Sequence, residues 1–294
     1  MQTSARIAEL IDHRQPFVHA TVVRAQPPTS AHPGDEAIVL PDGTIEGFVG
    51  GQCAESSVRT AALDVLRAEE GVLLRVLPPD APRFPDAPGA RVVVNPCLSG
   101  GALEIFLEPR LPAPRLYLVG ANPTADAVAD LARMLGFAVE RVEEGGRVEG
   151  AVAAVVAGLG SGEAEGVRAA LDAGVGYVGL VASRVRGAGV LEQLGLDDAE
   201  LARVHTPAGL PIGARTAAEI AVAILAELVR AIRIDRLGRW DPAAGDVLAD
   251  TATDPVCGMS VTVGPDTPRV DRDGATHWFC SAGCRDRFES EWSP

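Results

Sequence analysis

Between residues 115 and 231 short apolar runs alternate with amphipathic segments, and this alternation limits the possible folds more than any other feature of the chain. The runs at 115–119, 138–142, 152–157 and 177–182 read as strands, those at 115–119 and 152–157 as buried ones. Segments 123–135, 163–173, 185–194 and 216–231 carry helical periodicity. In the last of them Ala217, Ile220, Ala221, Ile224, Leu225 and Leu228 fall on one stripe. Strand–helix repeats of this kind imply a parallel sheet wrapped on both sides. Asn122 and Pro123 suit the N-cap and first position of the helix at 123–135.

Residues 17–107 follow a different pattern, mostly strands with one long helix. A hairpin is expected from 37–40 and 44–49 around Pro41-Asp42-Gly43, with further strands at 17–24, 73–77, 91–94 and 103–107. The helix at 53–70 presents Val58, Ala61, Ala62, Val65 and Leu66 on one stripe. Segment 108–114 carries three prolines and reads as a linker, and 233–253 as a polar tether. The expected class is α/β in three parts: a mixed α+β domain at 1–108, a Rossmann-like parallel-sheet domain at 115–232, and a small C-terminal module at 254–292.

Charge and cysteine usage narrow the function. A net charge of −14 over 294 residues argues against a nucleic-acid partner. No apolar run reaches the length of a membrane span and the first twenty residues lack a signal core, so a cytoplasmic protein is expected. Thiols stay reduced in that compartment, and the five cysteines then read as ligands or reactive groups. Three of them are spaced Cys257-x22-Cys280-x3-Cys284 in a segment too short to bury much apolar surface. Soft thiolates at such a spacing suit zinc or a copper-group ion, and Cys280 and Cys284 would project from one face if both lay on a helix. The alternative is three small buried hydrophobes. His277 is either a fourth ligand or a packed or exposed ring.

Two more loops combine glycine with cysteine. Gly50-Gly51-Gln52-Cys53-Ala54-Glu55 lies between a strand and the long helix, where unpaired N–H groups would lower the Cys53 pKa. The second is Asn95-Pro96-Cys97-Leu98-Ser99-Gly100-Gly101. Both loops face one site, or both are structural turns with buried cysteines. In the second domain Gly120-Ala121-Asn122 keeps one glycine of a dinucleotide fingerprint, with Asn122 at the middle position. Glu143 is either a ribose ligand or a surface acid, and Gly158-Leu159-Gly160-Ser161-Gly162 either a phosphate cradle or a turn. Arg184 and Arg215 either hold a phosphate or pair with carboxylates such as Glu219. His205 precedes the Arg215 loop, as a structural residue or as one near the site.

Two resemblances organise these features. Asp254-Pro255-Val256-Cys257-Gly258-Met259 followed by Phe279-Cys280-Ser281-Ala282-Gly283-Cys284 resembles the YHS domain, a metal-binding module of the TRASH-like group. His277-Trp278 replaces the tyrosine usual there. The resemblance implies Cys257, Cys280 and Cys284 as ligands. Residues 17–231 resemble the xanthine dehydrogenase accessory factor (XdhC-like) family, which includes carbon monoxide dehydrogenase maturation proteins. That likeness rests on Gly50–Glu55, on Tyr177-Val178-Gly179-Leu180 with Ser183-Arg184, and on Gly209-Leu210-Pro211-Ile212-Gly213-Ala214-Arg215-Thr216-Ala217-Ala218-Glu219. The family's second cysteine loop is a compact Cys-Gly-Gly, which Leu98 and Ser99 split here.

The second resemblance implies an accessory protein more than a catalyst, one that binds molybdenum cofactor (molybdopterin) and assists its sulfuration or insertion. Its partners would be a molybdenum hydroxylase client and a cysteine desulfurase, and it would form a homo-oligomer. Cofactor contacts are expected from Gly50, Gly51, Gln52, Cys53, Cys97, Gly100, Gly101, Gly120, Asn122, Ser183, Arg184, Gly213 and Arg215, with Cys53 and Glu55 as candidate reactive groups. The alternatives are an NAD(P)-dependent oxidoreductase and a metal-dependent regulator acting through the tail.

Overall fold

The computed structural model describes residues 3–78, 89–94, 101–142, 150–238, 251–264, 267–272 and 274–291. It divides into two compact units, one of residues 1–112 with 240–294 and one of residues 113–239.

The first unit begins with α1 (Thr3–Asp12), β1 (Phe17–Gln26), β2 (Glu36–Val39), β3 (Ile45–Gly47), α2 (Gln52–Ala68), β4 (Val72–Leu77), β5 (Ala90–Val94) and β6 (Ala102–Arg110). The strands form one mixed sheet in the order β3-β2-β1-β6-β4-β5. Only β4 and β5 run parallel, and β5 is an edge. The apolar stripe of α2 (Val58, Ala61, Ala62, Val65, Leu66) lies on one face, against Val18, Ala20, Leu74, Leu103, Ile105 and Leu107. Strand alternation turns Phe17 and Ile38 to the opposite side, where Leu10 of α1 covers them. The sequence reading did not anticipate α1. Its one buried residue is Leu10, and its Arg6 reaches across to both carboxylate oxygens of Glu46 at 2.9 and 3.0 Å, so tertiary contacts hold it.

The second unit contains β7 (Arg115–Val119), α3 (Pro123–Met134), β8 (Ala138–Val142), β9 (Ala153–Val156), α4 (Glu163–Asp172), β10 (Tyr177–Leu180), α5 (Arg184–Leu194), α6 (Asp198–Leu201), β11 (Val204–His205) and α7 (Ala217–Arg233). All five strands are parallel, in the order β11-β10-β9-β7-β8. This is a doubly wound, Rossmann-like sheet whose strand order reverses between β7 and β9. Leu116 and Leu118 face α3 and α7, while Tyr117 and Val119 face α4, so the central strand β7 is apolar on both sides.

The tail returns to the first unit with β12 (Thr251–Thr253), β13 (Ser260–Thr262), β14 (Arg269–Arg272), β15 (Ala275–Trp278) and α8 (Ala282–Glu291). They form two small antiparallel hairpins and one helix. β13 packs on α2, where the Thr60 and Thr262 hydroxyls lie 3.3 Å apart.

The loop after β7 depends on one glycine. Gly120 has φ +111°, and a Cβ there would lie 2.2 Å from the Ala157 carbonyl oxygen. Gly120→Ala is therefore expected to destabilise the second unit by on the order of 3 kcal/mol, combining left-handed strain with a backbone clash. Gly34→Ala, at φ +94° in open space, carries the strain alone and is expected to cost about 1 kcal/mol. Urea denaturation of both variants measures the difference.

Candidate metal centre

The tail brings three sulfurs together from two turns. Cys257 lies in the turn between β12 and β13, closed by Gly258 N donating to Asp254 O at 2.8 Å and Asp254 N to Met259 O at 2.8 Å. Cys280 follows β15. Ser281 then caps α8, its hydroxyl accepting from Cys284 N at 3.3 Å, which sets Cys284 in the first turn. Cys280 thus precedes the helix, so the condition under which both sulfurs would share a helical face is not met: the cap residue between them starts the helix late. The sulfurs meet all the same, at 3.5 Å for Cys257–Cys280 and 3.6 Å for Cys280–Cys284. Thiolates bound tetrahedrally to one zinc at about 2.3 Å stand about 3.8 Å apart, so the set fits a single ion after a small adjustment.

A fourth residue shares the cluster. Asp254 is wholly buried, and its ligand atom and the three sulfurs lie within 4.8 Å of one another. Its Oδ1 accepts from Val256 N at 2.8 Å and Cys257 N at 3.3 Å, and its Oδ2 from Cys280 N at 2.8 Å. Burial works against its charge, but the N–H groups of Cys280 and Val256 outweigh burial and hold its pKa below the usual value. The carboxylate therefore ties the two cysteine turns together. The sequence reading had Asp254 only as part of a motif, although an Asp-Pro pair ahead of a turn glycine is itself a signal for such a side-chain acceptor. Burial raises the thiol pKa values of Cys257 and Cys280, so a bound dication would have to displace their protons. The His277 ring lies 5.1 Å from that of Phe288 and is not among the converging ligand groups. Phe279, fully buried, also meets Phe288 at 5.2 Å, which pins α8 to the hairpin beneath the cluster.

Of the first cysteine loop, Gly51 is the N-cap of α2 and provides no side-chain cap. Gln52 and Cys53 open the helix, and half-buried Glu55 donates its N–H to Gly51 O at 3.0 Å. Gly50 is buried, and a Cβ there would lie 2.9 Å from that of Ala54. The side chains of Gln52 and Cys53, and Cys97 and Gly100 altogether, lie outside the described residues. Gly101 has φ +105° and its Cβ position falls 2.1 Å from Pro28 O, so packing alone requires glycine.

In the second unit the crevice where strand order reverses is closed from within. Asn122 Oδ1 accepts from Thr124 N and Ala125 N, both at 3.1 Å, and its Nδ2 donates to Ala157 O at 2.6 Å. Pro123 has no N–H, so the first turn of α3 keeps no free donor for a pyrophosphate. The loop after β9 is also occupied by its own side chain. Glu163, 4% exposed, accepts from Gly160 N at 3.0 Å and meets Arg186 at 3.2 Å. Glu143 lies outside the described residues.

Ser183 caps α5 by accepting from Arg186 N at 3.3 Å, and Arg184 and Arg215 are exposed. Exposed Gly213 lies in the same loop as Arg215, whose backbone N–H, not its guanidinium, meets Glu219, at 2.7 Å. A buried network went unrecognised in the sequence. Glu227 accepts from the Tyr177 hydroxyl and from Gly209 N, each at 2.8 Å, and lies 3.3 Å from His205 Nδ1, while the His205 ring stacks on Tyr177 at 4.3 Å. Its signal was an acid beside the apolar stripe of α7. Burial, then Glu227, raises the Tyr177 pKa, so this phenol is a fixed donor that anchors the 206–216 loop.

Residues 10–76 match the model of the XdhC and CoxI family, and residues 116–228 match that of the XdhC Rossmann domain. The chain belongs to the XdhC family. An uncharacterized protein of Escherichia coli (strain K12), YqeB, is 27% identical over 259 residues, covering 78% of this chain and 46% of that protein. The chain thus spans about half the length of this curated relative. A solved structure described as a xanthine dehydrogenase from Bacillus halodurans aligns with 82% of this chain and 98% of its own, at 16% identity and a TM-score of 0.42. That likeness is too distant to carry an argument.

Two outcomes are expected. Asp254→Ala leaves three backbone N–H groups without their acceptor, that of Cys280 buried, so it should destabilise the tail by on the order of 2 kcal/mol and weaken metal binding by about tenfold or more. Competition with a chromophoric chelator measures the second effect. Titration with NAD or NADP should give no saturable binding by calorimetry, because Asn122 already occupies the α3 donors.

Proposed function

We propose that this chain is an accessory factor in the maturation of a molybdenum enzyme. The observation that carries the reading is the match of two stretches of one chain, in order, to two models of the XdhC family. In the finer form of the proposal it binds molybdenum cofactor through the Gly50–Glu55 and Cys97–Gly101 loops. It then assists sulfuration or insertion into a hydroxylase client of the xanthine or carbon monoxide dehydrogenase type, with a desulfurase as sulfur source and a homo-oligomer as the working form. The start of α2, where Gly51 gives no side-chain cap, supports this placing, since a helix N-terminus favours an anionic cofactor.

The tail adds a metal function to that role. Its YHS-like motif and the convergence of Cys257, Cys280 and Cys284 support zinc or a copper-group ion as cargo or resident metal. No helix among the described residues is long and apolar enough to cross a membrane, which is compatible with the cytoplasmic working place proposed here.

The test is metal analysis together with oxidised-pterin fluorescence on freshly purified protein. Wild type should carry both pterin and a metal. Cys53→Ala should lose the pterin and keep the metal. The combined Cys257→Ser, Cys280→Ser and Cys284→Ser variant should do the reverse. Wild-type protein without pterin, expressed in cells that make the cofactor, would remove the molybdenum reading. Serine substitution is preferable to deleting the tail, because β13 covers part of α2.

A further inference from the structure

The metal cluster does not stand apart from the first unit. Next to it is a cavity of roughly 330 Å³ walled by Ser57 and Thr60 of α2, by Arg91 and Val93 of β5, and by Cys257 and Met259 of the tail. Three parts of the sequence separated by linkers and a whole second unit therefore build one pocket, and Cys257 of the cysteine cluster is in its wall.

The protein donors run short at this point. Among the described residues the converging ligand groups are the three cysteines and Asp254. Asp254 already accepts from three backbone N–H groups, which take three of the about four acceptor sites of its carboxylate, and His277 is engaged with Phe288. The three sulfurs are the donors without that backbone task, one short of the closed tetrahedral set typical of structural zinc, and their count matches that of sites that keep a position for an outside ligand. Cys280 is buried, Cys257 and Cys284 are half-buried, and Cys257 lines the cavity, so the cavity is one side from which an outside ligand would reach the ion.

We propose, resting on the metal reading above, that the three-thiolate centre keeps one coordination position open to this cavity, and that the position takes a small soft anion, of which a low-molecular-weight thiolate is the type. Thiolate coordination makes the ion soft, so it favours sulfur over oxygen donors. A dication on three thiolates carries one net negative charge and would repel an anion. Arg91 is the cationic residue in the wall. Its Nη1 pairs with Asp64 at 2.5 Å and its side chain is 45% exposed, which leaves further guanidinium N–H groups for a second anion. The volume is at the lower end of the range for small-molecule pockets and excludes a large occupant.

The experiment loads the full-length chain with cobalt(II) and titrates mercaptoacetate, followed by the ligand-field bands and by protein-bound cobalt after gel filtration. The proposal predicts a saturable spectral change with cobalt retained. Arg91→Glu should weaken mercaptoacetate by about tenfold at unchanged cobalt stoichiometry, as expected for reversing a charge beside the site, and Arg91→Lys should restore most of the loss. The thermal melt of each Arg91 variant controls for folding. Cobalt bound with no spectral response to mercaptoacetate would mean a closed sphere and overturn the open position. Equal affinity in Arg91→Glu would overturn the anion assignment. Failure to bind cobalt, zinc or copper would instead overturn the metal reading on which the proposal stands.

Discussion

The buried carboxylate of Asp254 is the interaction on which the tail's organisation depends. It accepts N–H groups from Val256 and Cys257 in one turn and from Cys280 in another, turns that are more than twenty residues apart in sequence. A small module with few large side chains cannot fix three sulfurs by packing alone, and backbone hydrogen bonds to a charge are directional and strong. The aromatic contact of Phe279 with Phe288 sets the start of α8, and Ser281 caps it, so Cys284 arrives at the same point from the helix side. A bound metal would add to a geometry already close to what it requires.

The same tail is part of the first unit's architecture. β13 lies along α2, the helix that opens with Gln52 and Cys53, and the turn bearing Cys257 shares a cavity with β5, the strand that leads into the Cys97 loop. The cysteine cluster of the tail is thereby joined to the first unit through one helix and one edge strand. The second unit has spent its usual ligand positions on itself: Asn122 bridges the two loops of the crevice, Glu163 fills the glycine loop, and Glu227 ties down the 206–216 segment.

Strong periodicity made much of this legible in the sequence. The helix expected at 53–70 is α2 at Gln52–Ala68, and that at 123–135 is α3 at Pro123–Met134 with Asn122 as its cap, because apolar stripes and capping chemistry are local signals. Non-local causes were not legible. Residues 108–110 read as linker but remain in β6, since β1 continues to Phe17 opposite Arg110. α1 depends on Glu46 and Ile38, far along the chain. Asp254 and Glu227 gain their roles only when distant N–H groups converge on them. The cysteine spacing pointed to a metal site, while the tail's packing on α2 had no sequence signal at all.

X-ray absorption at the metal edge of the zinc-loaded, full-length protein tests the central claim most directly. The account predicts a first shell of about three sulfurs near 2.3 Å with one lighter or exogenous donor. A shell dominated by nitrogen and oxygen, or a protein that takes up no zinc under reducing conditions, would contradict it.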